Sequence, residues 1–440
     1  MKDANTGLKI IIVGAGAAGL AAARSLQQLG HHVEMFEARD DVGGQVVTFD
    51  VGGEPLECFY HHLFTNDVTA IRFFDELGLG DRLQWYEPLN AHFVKDHAYP
   101  FNTPLDLLRF DAVSLLGRIR LGLASLWLRR KSDWREYENI TAREYLIRAV
   151  GEEAFEAFWG PLLKGKFADY SDDVGMAWLQ WKIKLRFGSR GGRFGLKEVL
   201  GYPNGSFSPV YQKLAEDIRS NGGEIHLNER VETVVTENNH VMGIRSGGNF
   251  YSADRVLLTT PNPVTKRLVP ELPTGYVDIL DRVKYQWASC LILALDRPLT
   301  PFYWLSIADA LPFVACVEHT NLVPKERYGG NHIVYLSNYV SPGDPLLEMD
   351  ASEALKNFEP GIKHLNQDFE TSWVRNAWLF SDPAGQPVIT TRYSDSIPSI
   401  ETGIEGLTLA NTTQIYPEDR GQNYSFRLGE KAARIIDERS

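Results

Sequence analysis

The sequence predicts an α/β protein with α+β insertions, in which a parallel-sheet domain is interleaved with a second domain. Three observations predict this class. Residues 9–44 contain an apolar strand, a glycine-rich turn, an Ala/Leu-rich helix and a second strand. Strand and helix patterns return at 205–265 and at 405–440. The chain of 440 residues also exceeds the usual size of a single hydrophobic core, so we expect two domains, or one domain with large insertions.

The first element is a βαβ unit with the spacing of a dinucleotide-binding fold. Its glycines are Gly14, Gly16 and Gly19. The first glycine permits the tight turn, the second lets the backbone approach a pyrophosphate, and the third lets helix and strand pack closely. Free N–H groups at the start of the helix, which includes Ala17 and Ala18, would hold the phosphates. The unit therefore predicts a bound dinucleotide.

The second strand ends at an acidic residue, as such a site requires. Glu37 lies 18 residues beyond Gly19, where a carboxylate can accept hydrogen bonds from ribose hydroxyls. Ala38, Arg39 and the pair Gly43-Gly44 follow it directly. These positions complete the first group of expected cofactor contacts.

The next third of the chain changes from β to helical periodicity. Residues 46–56 predict a hairpin that turns at Gly52-Gly53, and residues 67–78 predict a helix. Helical periodicity is strong over 104–131 and continues with gaps to about residue 200. We expect residues 96–204 to form a helical insertion.

After residue 204 the chain is predicted to alternate between the two domains: the first domain, then the second, then the first again. Residues 205–228 predict a helix entering a strand, and residues 231–245 predict a β-meander. A buried strand follows at 254–261, short β runs alternate with loops over 285–400, and a final helix covers about 425–437. The interleaved organisation is predicted to have the following segments: a discontinuous nucleotide-binding domain from 1–95, 205–265 and 405–440, and a substrate domain from 96–204 and the β-rich insertion 266–404.

Composition excludes several classes of protein. The net charge of −12 argues against general nucleic-acid binding. The three cysteines are far apart and form no CxxC motif, which indicates a reducing compartment and neither a disulfide framework nor a zinc site. Residues 1–6 lack the charge pattern of a signal peptide, and no run of 18 apolar residues occurs. We therefore expect a cytoplasmic protein, whose oligomeric state the sequence leaves open.

The order of these motifs resembles the superfamily of FAD-dependent amine oxidases, protoporphyrinogen oxidases and phytoene desaturases, with UDP-galactopyranose mutase as a relative. The segment Glu37-Ala38-Arg39 followed by Gly43-Gly44 is similar to the FAD form of the fingerprint, although Gln45 stands where the family commonly has arginine. The resemblance implies a Rossmann-like FAD-binding domain of the glutathione reductase type. It also implies FAD held without a covalent bond, since the C-terminal flavin segment has no cysteine.

A second block of the resemblance lies near the C-terminal end. In the family, the corresponding segment brings backbone N–H groups to the N1/C2=O edge of the flavin, where reduced flavin carries negative charge. The cofactor contacts that the resemblance implies here are Arg420, Gly421, Gln422, Asn423 and Tyr424, and Val231 is assigned to the same set.

A third block suggests catalytic residues. His61 and His62 follow the hairpin in a segment similar to the one that places a histidine against the flavin ring in the mutase. The alternative is one core and one surface histidine. They do not form a metal site, because no further ligand lies at suitable spacing nearby.

Two features bear on the substrate. No lysine occurs between Lys363 and Lys431, where amine oxidases often have one near the flavin, so fast amine oxidation is disfavoured. Segment 160–200 has eight basic and four acidic residues, and segment 109–135 has seven basic and two acidic ones. This excess predicts an anionic small-molecule substrate, with peripheral contact to an anionic membrane as an alternative. We favour a core helix with basic ends over a membrane-surface helix at 118–131.

Three functions remain open at this point. The favoured one is an FAD-dependent oxidoreductase that transfers hydride from a substrate C–H bond to flavin N5. The second is a redox-neutral, flavin-dependent sugar-nucleotide mutase, suggested by the histidine block and the basic insertion. The third is a non-catalytic FAD-binding protein.

Overall fold

A computed structural model describes residues 7–131, 133–191 and 197–439. Residues 1–6, on which the signal-peptide expectation rests, and Arg193 of the basic segment 160–200 lie outside the described residues.

The described part of the chain contains both long and short strands. In chain order they are β1 (Lys9–Val13), β2 (His32–Phe36), β3 (Thr48–Val51), β4 (Glu54–Glu57), β5 (Leu63–Phe64), β6 (Leu83–Tyr86), β7 (Asn90–Val94), β8 (His97–Pro100), β9 (Arg190–Gly191), β10 (Lys197–Glu198), β11 (Leu200–Pro203), β12 (Glu224–His226), β13 (Val231–Glu237), β14 (His240–Ser246), β15 (Asn249–Ser252), β16 (Arg255–Leu258), β17 (Tyr285–Leu295), β18 (Trp304–Ile307), β19 (Ala315–Glu318), β20 (His332–Val340), β21 (Val374–Pro387) and β22 (Leu407–Leu409).

The α-helices are likewise spread along the whole described chain. They are α1 (Ala17–Gln28), α2 (Val68–Glu76), α3 (Pro104–Arg109), α4 (Leu115–Arg130), α5 (Ala142–Val150), α6 (Glu152–Ala154), α7 (Gly160–Phe167), α8 (Met176–Gly188), α9 (Ser208–Ser220), α10 (Asn262–Leu268), α11 (Thr274–Arg282), α12 (Ala351–Leu365) and α13 (Gln422–Glu438). The predicted hairpin corresponds to β3–β4 and the predicted meander to β13–β15, so both are confirmed.

A five-stranded parallel sheet forms the first layer of the molecule, in the order β12-β2-β1-β16-β22. Its strands come from three distant parts of the chain, and β1 is buried because its apolar, β-branched residues face layers on both sides. The chain reverses its direction of strand addition between β1 and β16. In such sheets a ligand binds beyond the carboxyl ends of the strands at this point.

A seven-stranded sheet forms the second layer, in the order β21-β17-β20-β19-β18-β7-β8. The expectation of short β runs over 285–400 is wrong, because β17 has 11 residues, β21 has 14, and α12 has 15. The long strands hold together through a continuous antiparallel ladder, and α12 starts at a capping box formed by Asp350 and Glu353. Strand β7 belongs to this sheet, although it begins at residue 90, before the boundary expected at residue 95.

Helices α3 to α8 form the helical insertion, with their own apolar core. The interpretation of residues 118–131 as a core helix is wrong. Helix α4 buries only a narrow stripe made of Gly117, Leu121 and Leu128. Its exposed large apolar side chains are Leu115, Leu116, Ile119, Leu123, Leu126 and Trp127. The helix is apolar around most of its circumference, so sequence periodicity does not reveal which face packs.

No helix in the described ranges is both long enough and apolar enough to cross a membrane.

Candidate functional site

A single cavity of about 1030 Å³ runs from the carboxyl ends of the parallel strands to the helical insertion. We call its two extremes the nucleotide end, next to Gly14 and Glu37, and the insertion end, next to Leu107 and Leu126. Every cofactor or catalytic residue expected from the sequence, with the exception of Gly19, lines this cavity: Gly14, Gly16, Ala17, Ala18, Glu37, Ala38, Arg39, Gly43, Gly44, Gln45, His61, His62, Val231, Arg420, Gly421, Gln422, Asn423 and Tyr424.

Gly19 lies behind the cavity wall, where it lets α1 pack closely against the end of β1. It is buried in α1, and a Cβ atom there would be 2.1 Å from the carbonyl oxygen of Gly14. Only a glycine lets the helix approach the end of β1 this closely.

Backbone atoms form most of the nucleotide end. Gly44 approaches Gly16 so closely that a Cβ atom on Gly44 would lie 3.1 Å from the Gly16 Cα. The Glu37 carboxylate accepts hydrogen bonds from the backbone N–H of Ala15 at 2.8 Å and of Arg39 at 3.0 Å. Its position at the end of β2 is therefore fixed.

Two helices begin in the wall of this cavity without a side-chain cap. Helix α1 starts after Gly16 and α13 starts after Gly421, and neither preceding residue supplies a capping side chain. The two helices pack in close contact, since a Cβ atom on Gly429 would lie 2.2 Å from the carbonyl oxygen of Ala18. The N–H groups of each first turn have no intrahelical acceptor, so both helix starts offer hydrogen-bond donors and a positive dipole end.

Several predicted positions make specific contacts around these helices. The Arg39 Nη1 donates to the carbonyl oxygen of Gly44 at 2.6 Å, which braces the loop beside Gly16. Gln45 donates through Nε2 to the carbonyl of Ala384 at 3.0 Å, linking the nucleotide end to β21. Arg420 donates through Nη2 to the Tyr339 hydroxyl at 3.1 Å.

The two histidines line the cavity, and the His62 ring contacts the rings of Phe64 and Trp304. His61 Nδ1 is 2.6 Å from the carbonyl oxygen of Phe59, and because a carbonyl only accepts, Nδ1 carries the proton and Nε2 is left as an acceptor. His62 Nδ1 is 3.3 Å from the Tyr303 hydroxyl. Burial lowers the pKa of His61 to about 4 and that of His62 to about 3. Both rings are therefore neutral at pH 7.

The structure also reveals a charged cluster that sequence reasoning did not identify. Lys166 from α7 and Lys182 from α8 both donate to Asp419 Oδ2, at 2.9 and 2.7 Å. Trp178 Nε1 is 3.3 Å from the other carboxylate oxygen. We call these three charged residues the lysine–aspartate cluster, and all three line the cavity.

The electrostatics of the cluster favour an additional anion. Burial alone would raise the pKa of Asp419, but Lys166 and Lys182 outweigh it and hold that pKa well below its usual range. Burial lowers the pKa of each lysine, and Asp419 opposes that shift. Arg420 beside the cluster also faces Asp382, but Lys166 and Lys182 share a single carboxylate, so the cluster itself carries one positive charge in excess. The only sequence signal was the excess of basic residues over 160–200, which did not indicate the partner at 419.

The insertion end of the cavity is mainly apolar. Its lining includes Leu107 from α3, Leu121 and Leu126 from α4, and Phe158 and Trp159 from the turn before α7. Leu126 is also 52% exposed to solvent, so the cavity opens next to the outer face of α4. Along the cavity, the backbone donors of the helix starts are followed by the lysine–aspartate cluster, which we call the basic middle, and then by an apolar mouth.

Comparison with known proteins identifies relatives across nearly the whole chain. The sequence model described as "Flavin containing amine oxidoreductase" matches residues 17–418. A 15-cis-phytoene desaturase from an Oncidium hybrid cultivar is 25% identical over 382 residues, which are 79% of this chain and 62% of that protein. A second, from Glycine max, is 24% identical over 74% of this chain and 60% of its own length. The aligned region therefore spans less than two thirds of these curated relatives.

Solved structures show the same fold at lower identity. A protoporphyrinogen oxidase-like protein from Exiguobacterium sp. 255-15 superposes with a TM-score of 0.78 at 16% identity, covering 99% of this chain and 100% of that one. Reduced UDP-galactopyranose mutase superposes with a TM-score of 0.76 at 17% identity, covering 98% and 95%. At these identities the likeness concerns the fold alone.

Proposed function

The chain belongs to the flavin-containing amine oxidoreductase family, and we propose that it is an FAD-dependent oxidoreductase whose substrate is an apolar molecule bearing an anionic group. The observation that carries the proposal is that two uncapped helix starts and the lysine–aspartate cluster line one cavity with an apolar mouth. The two helix starts suit the phosphates and flavin of a dinucleotide. The lysine–aspartate cluster suits the anionic group of the substrate, and the apolar mouth suits its apolar part.

The residues at the nucleotide end fit FAD. The start of α1 would hold the pyrophosphate, Glu37 the ribose, and the start of α13 the pyrimidine edge of the flavin. Ala38, Arg39, Gly43, Gly44, Gln45 and Val231 would complete the walls of this end. None of Cys58, Cys290 and Cys316 lines the cavity, which supports a cofactor held without a bond to cysteine, and the absence of disulfides among them supports a reducing, cytoplasmic location.

We also propose the glutathione reductase type for the parallel-sheet domain, built from 1–95, 205–265 and 405–440. The mixed order of chain segments in the five-stranded sheet supports this assignment. Because β7 pairs with β18, we place the first boundary before residue 90.

The chemistry divides between cofactor and protein. When bound, FAD supplies a hydride acceptor at N5 for a substrate C–H bond. His61 is neutral with Nε2 unprotonated, so it would accept a hydrogen bond from the substrate atom beside the reacting carbon and pass the released proton on to solvent, because a pKa of about 4 does not hold that proton at pH 7. Lys166 and Lys182 would hold a carboxylate or phosphate through charge-assisted hydrogen bonds and so orient the reacting bond. The apolar walls exclude water from the reacting atoms.

The test is anaerobic reduction of the purified holoenzyme. We would add amphipathic carboxylates, each matched by its methyl ester, and follow the oxidised-flavin absorbance. The expected result is bleaching by carboxylates, with much slower bleaching by the esters, and loss of this preference in Lys182→Met. Equal rates for acid and ester would overturn the anionic-group assignment.

The mutase alternative has a different signature. Its supporting features are the histidine block and the shared fold, neither of which separates it from an oxidoreductase. Turnover of a sugar nucleotide only after dithionite reduction, without a change in flavin state, would favour the mutase. A colourless protein that cannot be reconstituted with FAD would contradict both functions.

A further inference from the structure

Helix α4 and the short helix α3 present an apolar surface to solvent at the mouth of the cavity. We call this surface the α3–α4 face. Its exposed members are Leu105, Leu108, Leu115, Leu116, Ile119, Leu123, Leu126 and Trp127. Large apolar side chains clustered in this way are uncommon on the surface of a monomeric soluble protein and mark an interaction site.

The arrangement within α4 is regular. At about 100° per residue, the exposed apolar positions of α4 fall within one arc of about 120°. The buried stripe of Gly117, Leu121 and Leu128 lies on the opposite side, against the helical insertion. The helix therefore lies flat on the molecule with a continuous apolar side outward.

Basic side chains surround this face. Arg109 ends α3, Arg120 and Arg129 flank the apolar arc on its two sides, and Arg130 ends α4; all four are exposed. Within the described ranges, none of the four is paired with a carboxylate in an ion pair. Exposed, unpaired arginines beside exposed leucines and a tryptophan are the composition of an interfacial helix that binds anionic lipid.

The mouth of the cavity lies in the same place. Leu107 and Leu126 line the cavity, while Leu105, Leu108 and Leu123 are their exposed neighbours on the same two helices. A Cβ atom on Gly122 would lie 3.3 Å from Leu107 Cδ2, so α3 and α4 are in direct contact at the mouth. A molecule that leaves a lipid layer at this face would enter the cavity without crossing water.

We propose that the α3–α4 face docks the protein on an anionic lipid surface, with the cavity mouth opening toward the lipid. Docking is peripheral, with the apolar side chains at the headgroup boundary and the arginines at the phosphates. A second copy of the chain suits this surface poorly, because a two-fold contact would bring the same unpaired arginines of both copies together. The proposal does not depend on which reaction the flavin performs.

The test is flotation of the full-length holoenzyme with vesicles. We expect binding to phosphatidylcholine vesicles that contain phosphatidylserine, weaker binding to phosphatidylcholine alone, and release at high salt. The double variant Leu123→Gln/Trp127→Gln should lose at least about ten-fold in partitioning, because both apolar contacts with the lipid are removed. Arg129→Gln/Arg130→Gln should lose a similar factor on anionic vesicles and little on neutral ones.

The matched control is Met242→Gln/Phe250→Gln, which changes two exposed apolar residues on the meander, away from the face. It should bind vesicles as the wild type does. All the changed residues are exposed, so each variant should keep its FAD content. Trp127 contacts Tyr137 and Arg129 contacts Phe187, so the melting temperature of each variant is measured beside its flotation.

Three results would overturn the proposal. The wild type could fail to float with any vesicle, or the Leu123→Gln/Trp127→Gln variant could float equally well. The third is a lipid-free wild type that is dimeric and becomes monomeric in that variant, which would show a second copy on the face. Failure of flotation would leave flavin bleaching by substrates unaffected, so this proposal and the proposed function can fail independently.

Discussion

The two ends of the cavity are built from different materials. At the nucleotide end the contacts are close approaches of backbone, such as Gly44 against Gly16 and α13 against Ala18. At the lysine–aspartate cluster, side chains from α7, α8 and the segment before α13 form the wall, and at the insertion end side chains from α3 and α4 do. A site made from backbone needs glycine at a set spacing and can therefore be predicted from a sequence. A site made from side chains depends on residues such as Lys166 and Asp419, which are 253 positions apart.

The largest loss of stability should come from replacing a glycine in the helix contact behind the nucleotide end, compared with a glycine at the insertion end. Gly429→Ala would place Cβ 2.2 Å from a backbone oxygen of α1, which cannot move without separating the helices. We expect a loss of about 3 kcal/mol in the free energy of unfolding, together with weaker FAD retention. Gly122→Ala meets only the tip of Leu107, so its effect should stay within about 1 kcal/mol. Urea unfolding measures the loss of stability in both variants. Equal losses would show that backbone packing is no tighter at the nucleotide end than at the insertion end.

The next effect concerns the lysine–aspartate cluster. Asp419→Asn leaves two lysines without their shared carboxylate, which should lower the free energy of unfolding by about 2–3 kcal/mol, less than for a fully buried pair because both lysine side chains are partly exposed. Adding Lys182→Met should recover part of the loss. Thermal unfolding of the single and double variants measures the coupling, and additive losses would show that the cluster is not a unit.

At the nucleotide end, Glu37→Ala should weaken FAD binding by about 1.5–3 kcal/mol, because charge-assisted hydrogen bonds to ribose are lost. The neighbouring exposed Asp40→Ala is the control and should bind FAD normally. Titration of the apoprotein with FAD gives both affinities. Unchanged affinity in Glu37→Ala would mean that side chains contribute little at this end.

The smallest effect is a pH dependence from the middle of the cavity. Folding lowers the pKa of His61 to about 4 and of His62 to about 3, so between there and about pH 6.5 the unfolded chain binds more protons. Stability should therefore fall as pH drops from about 6.5 toward 4. We expect about 1–2 kcal/mol per histidine, less than the full shift because both rings border the cavity.

Unfolding of wild type and His61→Asn/His62→Asn between pH 7 and 4 tests this slope. The double variant should lose about half of it, because burial also lowers the pKa of His92 to about 4 and that of His319 to about 3, and the exposed His97→Asn should retain it. An unchanged slope in the double variant would place the responsible groups elsewhere.

The sequence predicted the parallel-sheet half of the molecule well for a physical reason. Periodicity of two, the glycine spacing after β1 and turn residues such as Gly52-Gly53 are local signals. It missed α12, since a helix between long strands has only its capping box and periodicity to mark it. It also misjudged α4, because apolar composition does not distinguish a side chain facing protein from one facing solvent.

The site divides in the same way. The positions at the start of α1 and α13 were identified because helix starts and glycines have local signatures. Asp419 stood next to the predicted Arg420, yet its two lysine partners come from an insertion that no spacing rule connects to it. Electrostatic pairing across such distances is decided by the tertiary fold.

The discontinuous parallel sheet also sets the order of events during synthesis. Strand β1 leaves the ribosome first, yet its neighbour β16 follows some 240 residues later, and β22 and α13 come near the end of the described chain. Until β22 and α13 are made, β16 has no partner on its outer side and the cavity lacks one of its two uncapped helix starts. If FAD binds at these two helix starts as proposed, it binds only after α13 is made, and a nascent chain that stalls before residue 407 would present the unpaired edge of β16 to chaperones and proteases.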